Sequence, residues 1–470
     1  MTPAVSSGVV DVRKRERGVM VFWFVLRSPS IFRFVEPVVE RLRSEGHRVE
    51  VSFDLVDADD QPSHADIATQ LDVEVSALAL GDPSRRSSRR VLALRALASY
   101  ATFYRRWPRV LRARWLDYFP AAIRRPLELM QRTGLHGVVD APLTARLLRR
   151  IARHIPIPSA INAQMARVAP SVVVVSPAIF PDSREIDAMR AAQAAGIPSA
   201  ALALSWDNLT TKGLFHAPPD RLYVWNDVQV REASQWHDID PEIVDVVGAP
   251  AFDYLFEHGR ELERGAFLET LGLARDGRYI LYGVSSRLGL GVGGEVEIVR
   301  RLATAIRAHD WPGTTPVLLV RRHPGNEVGW ANLDVPGVHV WADRGYPASD
   351  ERRTVLYNGL VHADAIVGLN TSLFVDAAVV DRPAVALLLQ GDRLAERTPS
   401  RLVHFESLVA AGFLETVDLP EDAVPVLARL AAGVDARSAE RHAFVERFVR
   451  PCGLQRPAAH VLAERLASLG

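Results

Sequence analysis

The chain has 470 residues, more than one hydrophobic core usually supports, so two or three domains are expected. Hydrophobic residues make up 48% and charged residues 24%, and Lys plus Arg equal Asp plus Glu at 56 each, the profile of a globular protein rather than of a polyelectrolyte built for nucleic acid. A lone cysteine, Cys452, excludes a disulfide scaffold and any cysteine-based zinc or iron–sulfur site and points to a reducing compartment, while the runs without Asp, Glu, Lys or Arg, of which residues 168–181 carry three prolines and residues 191–206 are the longest, are too short for a spanning helix.

In chain order, the basic stretch Arg13-Lys14-Arg15-Glu16-Arg17 precedes an apolar run at 19–26. The pair superficially resembles a signal peptide, but Arg27 ends the run and no small-residue cleavage site follows. The run therefore reads as a buried first strand, and residues 1–17 as a disordered lead-in. A loop with Arg27 and Ser28, an amphipathic helix over 32–45 closed by Gly46, and a strand at 49–53 complete a βαβ unit, which implies a parallel sheet. That helix has no G-x-G-x-x-G opening.

From Arg85 to Arg153 the composition changes: seventeen arginines face three acidic residues, with Tyr100, Phe103, Tyr104, Trp107, Trp115, Tyr118 and Phe119 interleaved. Several proline-broken helices are expected there. Two readings stay open for this segment. Its arginines and aromatics suit an anionic membrane surface or a lipid-linked acceptor, and equally suit solvated helices whose rings join a core.

Alternation of strands and helices resumes after Pro170, with strands at 172–176, 199–205, 221–225 and 243–247 and a helix at 183–195. Gly248-Ala249-Pro250 reads as a hinge, after which the pattern starts again: strands at 279–284, 316–320, 338–341, 365–369 and 384–389, helices from 295, at 354–362 and at 373–380, and a helical end. The expected domains are 18–247, carrying the insertion at about 85–153, and 248–470.

The most informative segment is Gly368-Leu369-Asn370-Thr371-Ser372 with Asp376 beyond it. A strand ending there and a helix opening on hydroxyl and amide side chains would present amide N–H groups to a diphosphate, with Asp376 one turn on to accept ribose hydroxyls. The same residues would also serve as an ordinary helix cap. Two further strand ends carry anion chemistry: Arg321, Arg322 and His323 follow one strand, and Ser285, Ser286 and Arg287 lead into the glycine-rich 289–294. In the first half, Asp207, Asn208 and Lys212 follow a strand end; Asp207 is a candidate general base or, alternatively, part of a turn with Asn208. Asp182, Ser183, Arg184 and Glu185 offer a second acid pair, and Glu36, His47 and Asp227 are weaker candidates. HExxH, Walker A and G-x-S-x-G motifs do not occur in the sequence.

Together, the Gly368–Ser372 segment with Asp376 and Arg382-Pro383, and Arg321-x-His323-Pro324, resemble the second domain of GT-B glycosyltransferases, most nearly the CDP-glycerol glycerophosphotransferases and the non-hydrolysing UDP-N-acetylglucosamine 2-epimerases. Ser205–Thr210, Trp225-Asn226-Asp227, His404-Phe405 and Phe448–Pro451 fit the same pattern. The resemblance covers roughly residues 19–80 and 160–470. It departs at Asp376, commonly Glu, and at Asp381, often Gly, and the arginine-rich segment matches nothing in the family.

The resemblance implies an α/β fold of two facing Rossmann-like domains (GT-B), with the basic helical insertion in the first. It implies no cofactor beyond the nucleotide-activated donor and no metal. Donor binding would fall to Ser285, Ser286, Arg287, Arg321, His323, Asn370, Thr371, Ser372 and Asp376, and chemistry to Asp207 and His323. The acceptor side would use Arg27, Ser28, Asp182, Arg184, Asn208 and Lys212. The expected activity is transfer of a sugar or polyol phosphate to a hydroxyl acceptor in surface-polymer synthesis, in the cytoplasm or on the inner face of its membrane. A 2-epimerase and a non-catalytic glycan-binding protein are the alternatives. The preference for Arg over Lys fits a GC-rich bacterial genome.

Overall fold

The computed structural model describes residues 18–55, 64–79, 86–103, 121–134, 142–257, 261–285, 294–323, 333–341, 349–390 and 403–470, with a few isolated positions between them. Two all-parallel sheets organise the chain. The first contains β1 (Val21–Leu26), β2 (Arg48–Phe53), β3 (Glu74–Ala77), β4 (Val172–Ser176), β5 (Ser199–Leu202), β6 (Arg221–Val224) and β7 (Val244–Val246), in the order β3-β2-β1-β4-β5-β6-β7. The second contains β8 (Tyr279–Gly283), β9 (Val317–Arg321), β10 (Val338–Val340), β11 (Ile366–Gly368), β12 (Ala384–Leu387) and β13 (Glu415–Val417), in the order β10-β9-β8-β11-β12-β13.

The central strands are apolar on both faces because helices cover both faces; β4 (Val172-Val173-Val174-Val175-Ser176) and β8 are buried throughout. Strand order reverses direction once in each sheet, between β1 and β4 and between β8 and β11. At such a switch point neighbouring crossovers leave on opposite faces and open a crevice at the carboxyl edge.

The helix expected over 32–45 forms in two pieces, a 3-10 turn at Pro29–Phe34 and an α-helix at Glu36–Ser44. Pro37, at the start of the second piece, suits a helix opening and not an interior, so the chain breaks at Val35. Short edge strands β3 and β13 have no counterpart in the sequence reading.

Within the basic insertion, helices Arg86–Phe103, Ala121–Thr133 and Pro142–Arg153 are described. Tyr100, Phe103 and Phe119 join a core with Leu127, Leu214 and Trp236, so these three rings follow the core reading; Arg85, Tyr104, Trp107, Trp115 and Tyr118 lie outside the described residues. Two insertion arginines are structural. Arg95 donates to the Ser183 carbonyl and to Asp187, both at 2.7 Å, and Arg149 pairs with Asp238 while donating to the His237 carbonyl at 3.1 Å. Among the described residues no helix is long and apolar enough to cross a membrane.

The two sheets are tied by the junction at Gly248 (φ +87°), whose neighbour Ala249 donates its N–H to the Val449 carbonyl at 2.9 Å. The last helix, Ala458–Ala467, packs into the core of the first sheet with Val38, Val39 and Leu42.

Candidate functional site

Both switch points bring candidate residues together. In the second sheet, Gly283 of β8 and Gly368 of β11 are direct partners across the reversal. A Cβ on Gly368 would lie 2.8 Å from the Gly283 carbonyl oxygen and 3.1 Å from the Thr371 methyl, and one on Gly283 would lie 2.7 Å from a Leu373 methyl. The strand ends are therefore glycine so that Thr371 can seat over them and turn the chain into the helix Leu373–Val379. Thr371 is buried, and its hydroxyl accepts the Leu373 N–H at 3.3 Å, which makes it a packing and turn residue. Ser372 beside it is exposed, with no capping bond from its side chain. Because a backbone oxygen cannot give way as a side chain can, Gly368→Ala is expected to destabilise the fold by about 1–3 kcal/mol, measured by urea unfolding.

Asp376 sits on the next helical turn, buried. Burial raises its carboxyl to about 6 against the opposing pull of Arg321 and Arg33. Arg321 ends β9 paired with Gly283, so strand register places it at the same switch point. Arg33 comes from the other lobe, on the turn Pro29–Phe34, and the Tyr254 hydroxyl is influenced by Asp376, Arg321, Arg33 and Arg353 together. Arg353 also bonds Glu36 across the lobes. Neither Arg33, Arg353 nor Tyr254 belongs to a recognisable motif; only Glu36 was singled out from the sequence.

From the sequence, His323 would either donate to a phosphate oxygen or titrate near neutrality. In the structure burial, then Arg321, Lys212 and Arg33, lower it to about 4, so it is a neutral imidazole at pH 7. Ser285 differs from expectation in another way. Its N–H and hydroxyl both donate to the buried Glu295 carboxyl, at 2.9 and 2.8 Å, with the Tyr282 hydroxyl as a third donor at 3.1 Å. A side chain ten residues on already fills the anion-binding geometry at that strand end. Ser286, Arg287 and Pro324 lie outside the described residues.

Between the lobes, Asp207 precedes the single turn Asn208–Thr211. Its carboxylate pairs with Lys212 at 2.9 Å and accepts from the Ser205 hydroxyl at 2.6 Å and the Thr211 hydroxyl at 3.0 Å. Burial opposes its ionisation, yet Lys212, His404 and Ser205 hold the carboxyl well below the usual range. Asp207 is thus a fixed negative charge and a weak proton acceptor. Asn208 is a turn residue, its side-chain oxygen accepting the Leu204 and Ser205 N–H groups at 3.0 and 3.1 Å. His404 crosses from the second lobe: its ring meets Trp206 edge-on with centroids 4.6 Å apart, and its Nε2 lies 3.2 Å from the Asn370 amide nitrogen. Burial, then Lys212, outweighs Asp207 and keeps His404 near 4, hence neutral. A buried Glu232, raised to about 8 by burial and then by Asp207, stands nearby.

At the first sheet's switch point, Arg27 follows β1 and pairs with Asp182 at 2.9 Å while lying 4.3 Å from the centre of the Phe180 ring. Ser28 is buried against Ser30, hydroxyl to hydroxyl at 2.7 Å. Asp54, at the end of β2, accepts the Arg184 N–H at 3.2 Å. Glu185 is fully buried; burial, then Asp54, raises its carboxyl to about 8. His47 is a packing residue, its ring edge-on to Phe22 and its Nδ1 3.4 Å from the Met20 amide nitrogen. Asp227 is the first residue of a helix capped by Asn226. Among the described residues no group of three or more His, Cys, Asp or Glu side chains is arranged to hold a metal ion.

Compared by sequence, the chain matches no protein-family model and no curated protein. Compared by structure, it is similar to the UDP-GlcNAc 2-epimerase of Neisseria meningitidis solved with UDP-GlcNAc, at TM-score 0.54 and 11% identity over 96% of this chain and 100% of that one. It is similar also to a glycosyltransferase of Rickettsia africae, at TM-score 0.51 and 9% identity over 96% and 99%, and to the calicheamicin glycosyltransferase CalG4, at 0.50 and 14% over 96% and 98%. The fold is therefore GT-B, two Rossmann-like domains that each carry a parallel sheet.

Proposed function

We propose that the chain is a GT-B transferase that moves a nucleotide-activated sugar, or a polyol phosphate, to a hydroxyl acceptor. The observation that carries this reading is the convergence of Arg321, Arg33 and Asp376 from opposite lobes on the glycine-lined switch point of the second sheet. Guanidinium groups there compensate the charge of a departing diphosphate without a metal ion, and Asp376 accepts from ribose hydroxyls. Neutral His323 donates to a phosphate oxygen, and His404 holds Asn370 toward the same loop. Asp207 holds Lys212 in place through their ion pair; its low basicity assigns it an electrostatic role here in preference to that of the base. A thermal-shift and calorimetric screen of UDP, CDP, GDP and dTDP tests the reading. One of them is expected to bind, with Arg321→Ala and Ser372→Ala each weakening it by roughly 1–3 kcal/mol and leaving the fold intact.

The second reading, a nucleotide-sugar 2-epimerase, is supported by the likeness to the Neisseria enzyme and by the buried acid groups at the first sheet's edge. Product analysis with donor alone separates the two: an epimerised nucleotide sugar formed without acceptor contradicts the transferase.

We also assign a membrane-facing side to the basic insertion. On Pro142–Arg153, Leu147 and Ile151 are one turn apart and 59% and 45% exposed, flanked by exposed Arg146, Arg150 and Arg153. Apolar side chains bordered by guanidiniums suit the boundary of an anionic bilayer. Replacing both Leu147 and Ile151 with Asp is expected to reduce co-sedimentation with phosphatidylglycerol vesicles at least tenfold; unchanged co-sedimentation contradicts the assignment.

A further inference from the structure

We propose that Lys212 of the first lobe binds the diphosphate of the donor, reaching across the cleft to the switch point of the second sheet, and that Asp207 is the residue that positions it. The inference rests on the transferase reading and goes beyond it. The family resemblance puts Lys212 on the acceptor side, whereas its surroundings put its ammonium on the leaving group.

Two observations carry it. The first is how the turn is built. From Asn208 to Ala217 every residue is buried except Lys212, whose side chain is 21% exposed. The chain around it is pinned. The Asn208 side-chain oxygen accepts the Leu204 and Ser205 N–H groups, Gln229 Nε2 donates to the Ser205 carbonyl at 3.0 Å, and His237 Nε2 lies 2.7 Å from the Leu209 carbonyl oxygen. Asp207 takes one of the three N–H donors of the ammonium, at 2.9 Å, which leaves two for a ligand. A lysine already held by an ion pair on an anchored turn binds an anion without the full cost of ordering a loose side chain.

The second is where the turn docks. Trp206, next to Asp207, meets the His404 ring of the other lobe edge-on, and His404 lies 3.2 Å from the amide nitrogen of Asn370, which follows β11. Lys212 acts on His404 and also on His323, which follows β9. Burial is the main reason the His323 ring stays neutral, then Arg321, then Lys212, then Arg33, with Asp207 alone pulling the other way. In the sheet β8 lies between β9 and β11 and ends at Gly283. An ammonium felt by side chains that follow both outer strands therefore stands over β8, at the glycine-lined point where Arg321 and Arg33 converge. Three cations there meet two carboxylates, Asp207 and Asp376, because Glu232, raised to about 8 by burial and then by Asp207, is mostly protonated at pH 7. The positive charge left over is what a diphosphate balances.

The test is isothermal titration of inorganic pyrophosphate, in buffer treated with a chelator, and of UDP, CDP, GDP and dTDP into the full chain and three variants. Lys212→Met keeps the stem and removes the charge. It is expected to weaken pyrophosphate and the bound nucleotide about tenfold or more, and Lys212→Arg to restore most of that affinity. Asp207→Asn keeps a carbonyl oxygen for the ammonium and removes the counter-charge, so it should bind pyrophosphate at least as tightly as the unmodified protein. An ion pair that serves only the fold would give Lys212→Met and Asp207→Asn the same loss; that result, or unchanged affinity in Lys212→Met, overturns the proposal. If Lys212→Met fails to fold, Asp207→Asn decides: retained or tighter pyrophosphate binding supports the proposal, and weaker binding overturns it. Pyrophosphate bound through Lys212 with no nucleoside diphosphate bound supports the assignment and contradicts the transferase. A nucleoside diphosphate bound equally by the unmodified protein and Lys212→Met overturns the assignment alone, and no binding of any probe overturns both.

Discussion

Asp253→Ala is expected to destabilise the protein by about 3–5 kcal/mol, among the largest effects of any single substitution outside the sheets. Asp253 is buried where the junction, the crossing segment and the last helix meet. Its Oδ1 accepts from Arg450 Nη2 at 2.7 Å and Nε at 3.1 Å and from the Ala458 N–H at 3.1 Å, and its Oδ2 from the Ala459 N–H at 2.8 Å. Removing it takes from the buried Arg450 guanidinium the carboxylate that accepts two of its hydrogen bonds and strips the first turn of the helix Ala458–Ala467 of its acceptor. The loss concerns more than one lobe, because that helix packs on the first sheet while Arg450 follows the second. If the cost is mainly the uncompensated charge, the double variant Asp253→Ala with Arg450→Met should recover part of it. Urea unfolding of the three variants decides, and a loss under 1 kcal/mol in Asp253→Ala contradicts the account.

Stability is also expected to fall by a few kcal/mol between about pH 6.5 and 8, on the order of 1.4 kcal/mol per pH unit for each carboxyl that titrates there. Glu185 and Glu232 are raised to about 8 and Glu295 to about 7, in each case chiefly by burial. A raised carboxyl binds its proton more tightly folded than unfolded. Its stabilising contribution is therefore complete below the unfolded value and is lost as pH rises through the folded one. The buried histidines run the other way. His237, His323 and His404 lie near 4, so their contribution is present above about 6.5 and is lost as pH falls toward 4. Above 6.5 the unfolded histidines lose their remaining protons within about one pH unit, so the carboxyls give the window its sign. Chemical denaturation at pH 6.5, 7.25 and 8 should show the decline, and Glu232→Gln should flatten it; stability rising over that interval contradicts it.

Much of the fold was legible because parallel strands buried on both faces are written as apolar runs. β4, β8 and β12 carry Val, Ile, Leu, Tyr and Ala with turn residues close by, and alternation with helices implied the crossovers. β3 and β13 were not legible: Glu-Val-Ser-Ala and Glu-Thr-Val are short edge strands without an apolar run. In the site, residues directly after strands were legible, since chain order alone puts Arg27, Asp182, Asp207, Arg321 and the Gly368–Ser372 segment at the carboxyl edges. What the sequence could not show is which of those groups the protein uses up itself. Glu295 occupies Ser285, Lys212 neutralises Asp207, and Thr371 fills the space over two glycines; each is a tertiary contact with no local signal. Arg33, Arg353 and Tyr254 reach the cleft from a 3-10 turn and two helices, where arginine and tyrosine look like ordinary surface residues. Glu185 was visible as half of an acid pair, and only its burial beside Asp54 sets it apart from a helix-opening carboxylate.

The claim everything else depends on is that the second lobe binds a nucleoside diphosphate at its glycine-lined switch point. Isothermal titration of UDP, CDP, GDP and dTDP into the unmodified protein and into Arg321→Ala measures it directly. The account predicts saturable binding of at least one of the four, weakened about tenfold or more in Arg321→Ala. No binding of any of them, or equal affinity in the two proteins, would contradict it.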